Sequence, residues 1–358
     1  MRTETNNTTP VVSRVLKRTL VELVYDKDSR KTALAIARGG DCSIVDRFVA
    51  DTGETLVPYS PANNLVRHEC VLLPSHPEPS GGKDELVDNI AAYLHRYVQL
   101  SPLFERIAAY YVLLTWVFDA FNEVPYLRFR GDYGSGKTRA LIAAGSIAYR
   151  GFFASGASTV SPIFHTLDNF GGTLVLDEAD LRFSDKWADF VKILNNGTVK
   201  GMPVLRSVQN RNKEFDPAAF SVYGPKIVAM RGSFKDRALE SRFLTEDMSG
   251  RALRDDIPIQ LPDSLGSDAL ALRNRLLHFR LTKLFSIRAD PSRAVEGIDP
   301  RLNQMGLSLL SLIDDGLLRD EVADYLRRRA REMAAERTDT PEARTISAAM
   351  DALSESKL

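Results

Sequence analysis

Along the first seventy residues, short apolar runs alternate with turn residues: Leu20–Tyr25, Thr32–Ala37, Ser43–Ala50 and Leu65–Leu73, broken by Gly39-Gly40 and Asp51-Thr52-Gly53. Runs of this length between such breaks predict strands, so 1–80 reads as a small β-rich N-terminal domain behind a disordered polar start at 1–10. His76–Lys83, rich in Pro, Gly and Ser, reads as a linker. Apolar positions then recur at helical spacing over Asp84–Leu100 and Pro102–Phe121, and the second stretch is apolar nearly all round, which predicts burial. This pair, 84–123, leads into 124–250, where strand-like and helix-like runs alternate, the pattern of a three-layer α/β core with a largely parallel sheet. From 262 to 358 the pattern is helical and heavily charged. In Leu317–Arg337 acidic residues come early and arginines late, as in a solvated helix.

The chain has 358 residues, enough for two or three domains. Its formal net charge is zero, so any contact with nucleic acid must come from local patches. Cys42 and Cys70 are its only cysteines and lack metal-ligand spacing, which points away from a disulfide framework and towards a reducing cytoplasm. Met1–Pro10 lacks a signal-peptide core, and the most apolar run, Ile107–Phe118, is too short to span a bilayer. No membrane partner is expected.

Candidate chemistry concentrates in the core. Residues 131–138 read Gly131-Asp132-Tyr133-Gly134-Ser135-Gly136-Lys137-Thr138, the spacing G-x-x-x-x-G-K-[ST] of a phosphate-binding loop, followed by Arg139. Glycines let backbone N–H groups curl round phosphates, the lysine reaches the β- and γ-phosphates, and the hydroxyl serves Mg²⁺. Tyr126–Phe129 before it reads as a strand, and Thr138–Tyr149 after it as a helix whose N-terminus faces the anion. A second signal is Gly172–Glu178, an apolar strand ending in two acids. Strand alternation sends neighbouring side chains to opposite sides, so Asp177 is expected in the Mg²⁺ shell and Glu178 as the base that orients and deprotonates water. The pair favours ATP hydrolysis over mere binding.

A third strand, Pro225–Met230, precedes Ala238-Leu239-Glu240-Ser241-Arg242. Here the chain resembles the AAA+ ATPases. The resemblance implies an oligomeric P-loop ATPase and makes Arg242 the candidate arginine finger, set against a surface arginine paired with Glu240 or Glu246. Where that family places a polar sensor-1 residue, this sequence reads Met230-Arg231-Gly232-Ser233, and Arg231 or Ser233 could take the role. Arg273, Arg275 and Arg280 are the sensor-2 choices.

Between the acids and the third strand, Phe190–Lys213 carries basic residues, among them Lys192, Lys200, Arg206, Arg211 and Lys213, and no acid. Met202–Val208 and Phe215–Tyr223 read as strands flanking a polar tip, a β-hairpin set before the sensor strand. This narrows the resemblance to AAA+ branches with such a hairpin, including superfamily 3 helicases, and more loosely to uncharacterised ATPases of phages, plasmids and integrated elements. It implies a homo-oligomer, a hexameric ring, and single-stranded DNA gripped through Lys200, Arg206, Arg211 and Lys213, with a solvated surface hairpin as the plain alternative. Larger relatives often carry a primase part or a C-terminal winged helix. Neither is evident, and the chain ends soon after its charged helices, which leaves open that it is a piece of a longer protein. The expected function is ATP-driven unwinding or translocation of DNA. A nucleotide-controlled switch in defence or assembly is the alternative, and a GTPase or small-molecule kinase ranks below both, since no Asn-Lys-x-Asp motif is present.

Overall fold

A computed structural model describes residues 8–155, 158–177, 186–209, 215–234, 236–250 and 253–338. Thr8–Val11 forms strand β1, so the expected disordered start gives way to structure by residue 8. The N-terminal region holds two small sheets. In one, β1 pairs in parallel with β7 (Thr55–Pro58), which pairs with β6 (Phe48–Val49). In the other, β2 (Ser13–Val15), β3 (Thr19–Asp26), β4 (Lys31–Arg38) and β5 (Asp41–Val45) form an antiparallel meander. The expected strand at Leu65–Leu73 is instead a one-turn helix, α1 (Asn64–Arg67), leaving only a bridge from Val71 to Phe152. Its cause is local: the Asn63 side chain accepts from the N–H groups of Leu65 (3.0 Å) and Val66 (3.4 Å), an N-cap that outweighs β propensity.

Helices α2 (Lys83–Tyr97) and α3 (Pro102–Thr115) follow. Pro102 at the first turn of α3 fits a position whose N–H has no helical partner. Helix α3 is buried from Ile107 to Thr115, as its all-round apolar pattern predicts.

The core alternates β8 (Tyr126–Arg130), α4 (Lys137–Ile147), β9 (Phe152–Ser155), α5 (Val160–Phe170), β10 (Leu174–Asp177), α6 (Lys186–Asn196), a hairpin of β11 (Val204–Gln209) and β12 (Phe215–Phe220), β13 (Lys226–Met230), α7 (Arg237–Glu240) and β14 (Phe243–Asp247). Its sheet is parallel throughout, in the order β14-β8-β13-β10-β9. Strand alternation makes it the middle of three layers. Leu127, Phe129, Val175, Ile227 and Ala229 pack in one core with α3 and α4. Leu174, Leu176, Val228 and Met230 pack on the opposite face with α5 and α6. Burial on both faces explains the continuous apolar runs in these strands.

Helices α8 (Ser264–Lys283), α9 (Pro300–Leu310) and α10 (Gly316–Thr338) follow and pack into the α3–α4 layer through Leu272, Leu276, Leu309 and Leu326. Among the described residues, no helix is long and apolar enough to cross a membrane.

A buried ionic node joins the N-terminal sheet to the core. Glu22 on β3 accepts from Ser13 (2.8 Å), Tyr149 (2.9 Å), Arg150 and Arg280 (2.7 Å), and Arg280 also grips Asp119 with two bonds of 2.7 Å. Burial works to raise the Glu22 carboxyl, but the Arg150 and Arg280 charges prevail and hold it below its ordinary value.

Candidate functional site

The site lies at the C-terminal ends of the parallel strands, where open α/β sheets place ligands. Gly131 N–H donates to Met230 O (3.3 Å) as the loop leaves β8. Gly134 and Gly136 hold φ of 77° and 86°, a region that costs any other residue energy, and Gly136 serves as N-cap of α4. A Cβ on Gly131 would lie 2.8 Å from Ser135 Oγ and 3.1 Å from Ser249 N, so the chain passes there only as glycine. The result is a backbone cradle ahead of a helix N-terminus, which suits an anion.

Strand register brings the acid to it. Asp177 is level with Ala229 on β13, and Ala229 with Phe129 on β8. Two strand spacings of about 4.8 Å separate Asp177 from the β8 backbone, so the loop must arch over β13 to reach it. It does: Thr138 Oγ1 donates to Asp177 Oδ2 at 2.9 Å. A hydroxyl and a carboxylate are the hard oxygen donors that Mg²⁺ takes, so the pair fits that ion. Lys137 donates to Asp132 O (2.5 Å) and Ser135 Oγ (3.3 Å). Its ammonium is pushed below the usual lysine range, first by burial and then by the Arg231 charge, against the pull of Asp177 and Asp132.

Tyr133, Gly134, Gly136, Lys137, Thr138 and Arg139 on the loop side face Asp177 and Ala229–Arg231 across a cavity of about 330 Å³. Thus the structure gathers the loop residues and Asp177. Glu178 lies outside the described residues. Arg139 lines the cavity but turns both terminal guanidinium nitrogens away, Nη1 to Pro258 O (2.6 Å) and Nη2 to Ile259 O (2.5 Å). That anchored segment carries no sequence signal, because backbone carbonyls do the work. Of the sensor-1 choices, Ser233 Oγ takes a bond from Arg130 (3.0 Å), while Arg231 follows the last residue of β13 and stands over the Tyr133 ring, 5.7 Å from its centroid.

Several expected residues fall elsewhere. Arg242 does not project from the protomer. Only 7% of it is exposed, Nη1 donates to Leu194 O (3.3 Å) and Asn195 Oδ1, and Nε is buried without a partner among the described residues. The acids weighed as its surface partners are engaged by others: Glu240 by Arg128, and Glu246 by Ser101 N and Oγ. Packing beneath β14 against α6, rather than solvent, sets its direction. The sensor-2 choices also serve packing. Arg273 donates to Ser146 O (2.6 Å), Arg275 to Glu85 (2.7 Å), and Arg280 sits in the Glu22 node.

The hairpin is present, with Val204 opposite Phe220 and Gln209 opposite Phe215. Its tip, with Arg211 and Lys213, lies outside the described residues. Arg206 is turned inward, its guanidinium 4.7 Å from the Phe164 ring centroid and 3.8 Å from Asp189. Lys200 is exposed and donates to Asp119 O (3.2 Å). The outward face pairs Leu205 with Ala219 and Gln209 with Phe215, leaving Leu205 and Phe215 69% and 77% exposed.

No family model matches the chain, and no curated protein matches it. Among solved structures, "SCCmec type IV Cch - active helicase" is similar over 90% of this chain and 77% of that chain, at 13% identity and a TM-score of 0.40. The C-terminal region of NrS-1 is similar over 86% and 71%, at 9% identity and a TM-score of 0.36. A full-length MCM homolog from Methanopyrus kandleri is similar over 90% and 77%, at 13% identity and a TM-score of 0.40. The likeness is loose at these scores, and the functional reading rests on this chain's own residues.

Proposed function

We propose that the chain is a P-loop ATPase that couples ATP hydrolysis to movement along or unwinding of DNA, as a homo-oligomer. The observation that carries the ATPase reading is the 2.9 Å bond from Thr138 to Asp177 across the top of a parallel sheet, beside a glycine cradle and Lys137. Backbone N–H groups of 131–138 and Lys137 would bind the phosphates. Thr138 and Asp177 would hold Mg²⁺, which when bound neutralises charge on the β- and γ-phosphate oxygens.

In the reaction the water oxygen forms a bond to the γ-phosphorus. The oxygen bridging to the β-phosphorus leaves with the electron pair as ADP, and the water proton passes to a general base, the role assigned to Glu178. Lys137→Ala should abolish tight ATP binding, and Glu178→Gln should bind ATP yet stall.

DNA coupling is assigned to the hairpin, whose tip carries Arg211 and Lys213. A second reading, a nucleotide-controlled switch, draws on the hairpin's apolar outward face, which suits protein better than phosphate. One experiment separates them: the ATPase rate with and without single-stranded DNA, together with the mass in the presence of an ATP analogue. Stimulation by DNA in a ring-sized assembly supports the motor. Nucleotide-dependent assembly indifferent to DNA supports the switch.

A further inference from the structure

We propose that a cavity between the N-terminal sheet, the end of α4 and the start of α8 binds a small zwitterion. The ligand carries a carboxylate and a cation at opposite ends of an apolar stem, the chemistry of a basic amino acid. This cavity shares no residue with the one at the phosphate loop, and the proposal does not depend on the ATPase reading.

The cavity holds about 520 Å³, within the range of about 300–1,000 Å³ usual for small-molecule sites. Burial divides its wall into a floor and a mouth. Val71, Leu73, Ser146, Ala269 and Arg273 are buried, while Asp28, Asp263 and Gly266 are exposed.

Arg273 supplies the charge of the floor. Only 6% of it is exposed, and it donates through Nε to Leu73 O (3.3 Å) and through Nη1 to Ser146 O (2.6 Å). Its Nη2 makes no bond among the described residues. The equally buried Arg128, Arg150 and Arg280 each bond a carboxylate, whereas Arg273 bonds none among the described residues. Burial pushes its guanidinium down to about 10, so it remains charged at neutral pH. Glu69 pulls the other way, but Lys27 already bonds that carboxylate. A buried charge without a counter-ion is costly, and a carboxylate on Nη2 relieves the cost.

The mouth carries the opposite sign. Asp26 is engaged within its own turn, accepting from the Ser29 hydroxyl (2.6 Å) and from Asp28 N–H (3.0 Å). Asp28, in the turn after β3, and Asp263, at the head of α8, remain. Neither carboxylate has a hydrogen bond or ion pair among the described residues, and Asp263 caps no N–H of its helix. Elsewhere the wall is apolar, at Val71, Leu73, Ala269 and Leu270. A polyanion would suit the floor and be repelled at the mouth, and a polycation the reverse. A carboxylate on Arg273 and a cation between Asp28 and Asp263 satisfy both ends, with methylenes along the apolar wall.

The test titrates the protein by calorimetry with L-lysine and 6-aminohexanoate, and with hexanoate and hexylamine, which each lack one of the two charges. Both zwitterions should bind with Kd of about 1 mM or tighter, and each singly charged probe at least about tenfold more weakly. Arg273 also ties Leu73 to α4, so the variants are made at the mouth. Asp28→Asn combined with Asp263→Asn should lower the affinity for L-lysine about tenfold, to the level of hexanoate. Gly266→Trp checks the location. A Cβ on Gly266 meets nothing within 4 Å, so the ring can stand at the mouth, and it should block every probe. Three results would each overturn the proposal: no binding of either zwitterion at about 10 mM, hexylamine binding as tightly as L-lysine, or full L-lysine affinity in Gly266→Trp. Inorganic phosphate binding more tightly than both zwitterions would do so too, because the acids of the mouth would then play no part.

Discussion

Lys137 and Lys226 are both lysines whose charge is opposed by burial, and they differ in what faces them. Lys137 looks into a cavity shared with Arg231 and Asp177. Lys226, fully buried at the start of β13, donates to Val222 O (2.8 Å) and Gly224 O (2.9 Å) beside the Tyr126 ring, and burial lowers it to about 7. Among the described residues no carboxylate is bonded to it, so the neutral amine is the form the site favours. An unfolded lysine titrates near 10.4. Between about 7 and that value the unfolded chain binds a proton that the folded chain does not, so this residue makes stability rise with pH across the window. Lys226→Met should flatten that rise. The readout is the urea midpoint of both proteins at pH 6.5 and 9.5. The wild-type gain between the two, on the order of a few kcal/mol from the shift alone, should be largely absent in the variant. Equal gains would mean that Lys226 keeps its proton when folded.

The glycines of 131–138 and the strands round them were legible as an element because that spacing is a local motif, set by the loop's own backbone and not by the rest of the fold. The hairpin was legible too, from its two strand-like runs, yet its face was not. Arg206 reads as a basic residue available for phosphate, but its position on β11 turns it to Phe164 on α5, and Leu205 and Phe215 turn outward in its place. Side-chain direction within a strand depends on register against its partner and on which face the sheet packs, and a single sequence gives neither. The helix at Asn64–Arg67 escaped for a related reason, since one Asn63 cap decides it against an apolar run. The hairpin's charges can be tested separately. Arg211→Gln and Lys213→Gln should each lower the salt slope of single-stranded DNA binding by about one. Arg206→Gln should leave that slope unchanged and lower the melting temperature by a few degrees, through loss of its Phe164 and Asp189 contacts. A slope that falls with Arg206→Gln and not with the tip variants would move the DNA path onto the strands.

At the scale of the molecule, the N-terminal sheet and the core are joined through charge as well as apolar contact. Glu22 comes from β3, Asp119 from the turn after α3, Arg150 from the loop before β9 and Arg280 from α8, so one buried cluster ties four distant stretches together. Nothing in the sequence marks these residues as partners of one another, because each is an ordinary charge until the fold makes them neighbours, and Arg280 reads there as a sensor-2 choice. The cluster balances two carboxylates against two guanidinium groups, and removing one carboxylate leaves a buried positive charge unmatched, a loss of about 3–5 kcal/mol. Glu22→Gln should therefore unfold at lower urea than wild type at neutral pH and weaken the hold of 8–75 on the core, seen as faster proteolysis there with the proposed ATP site still protected by nucleotide. The pH dependence gives a second check. Glu22 is held below the ordinary carboxyl value, so its contribution is complete above the unfolded value and is lost as pH falls through the lower folded one. Wild type should lose stability steeply across that acid range, and Glu22→Gln, having no carboxyl to protonate there, should lose less. Parallel acid profiles for the two proteins would mean that the node contributes no ionic stabilisation and that apolar contacts of β3 and β4 with α8 alone hold the N-terminal sheet in place.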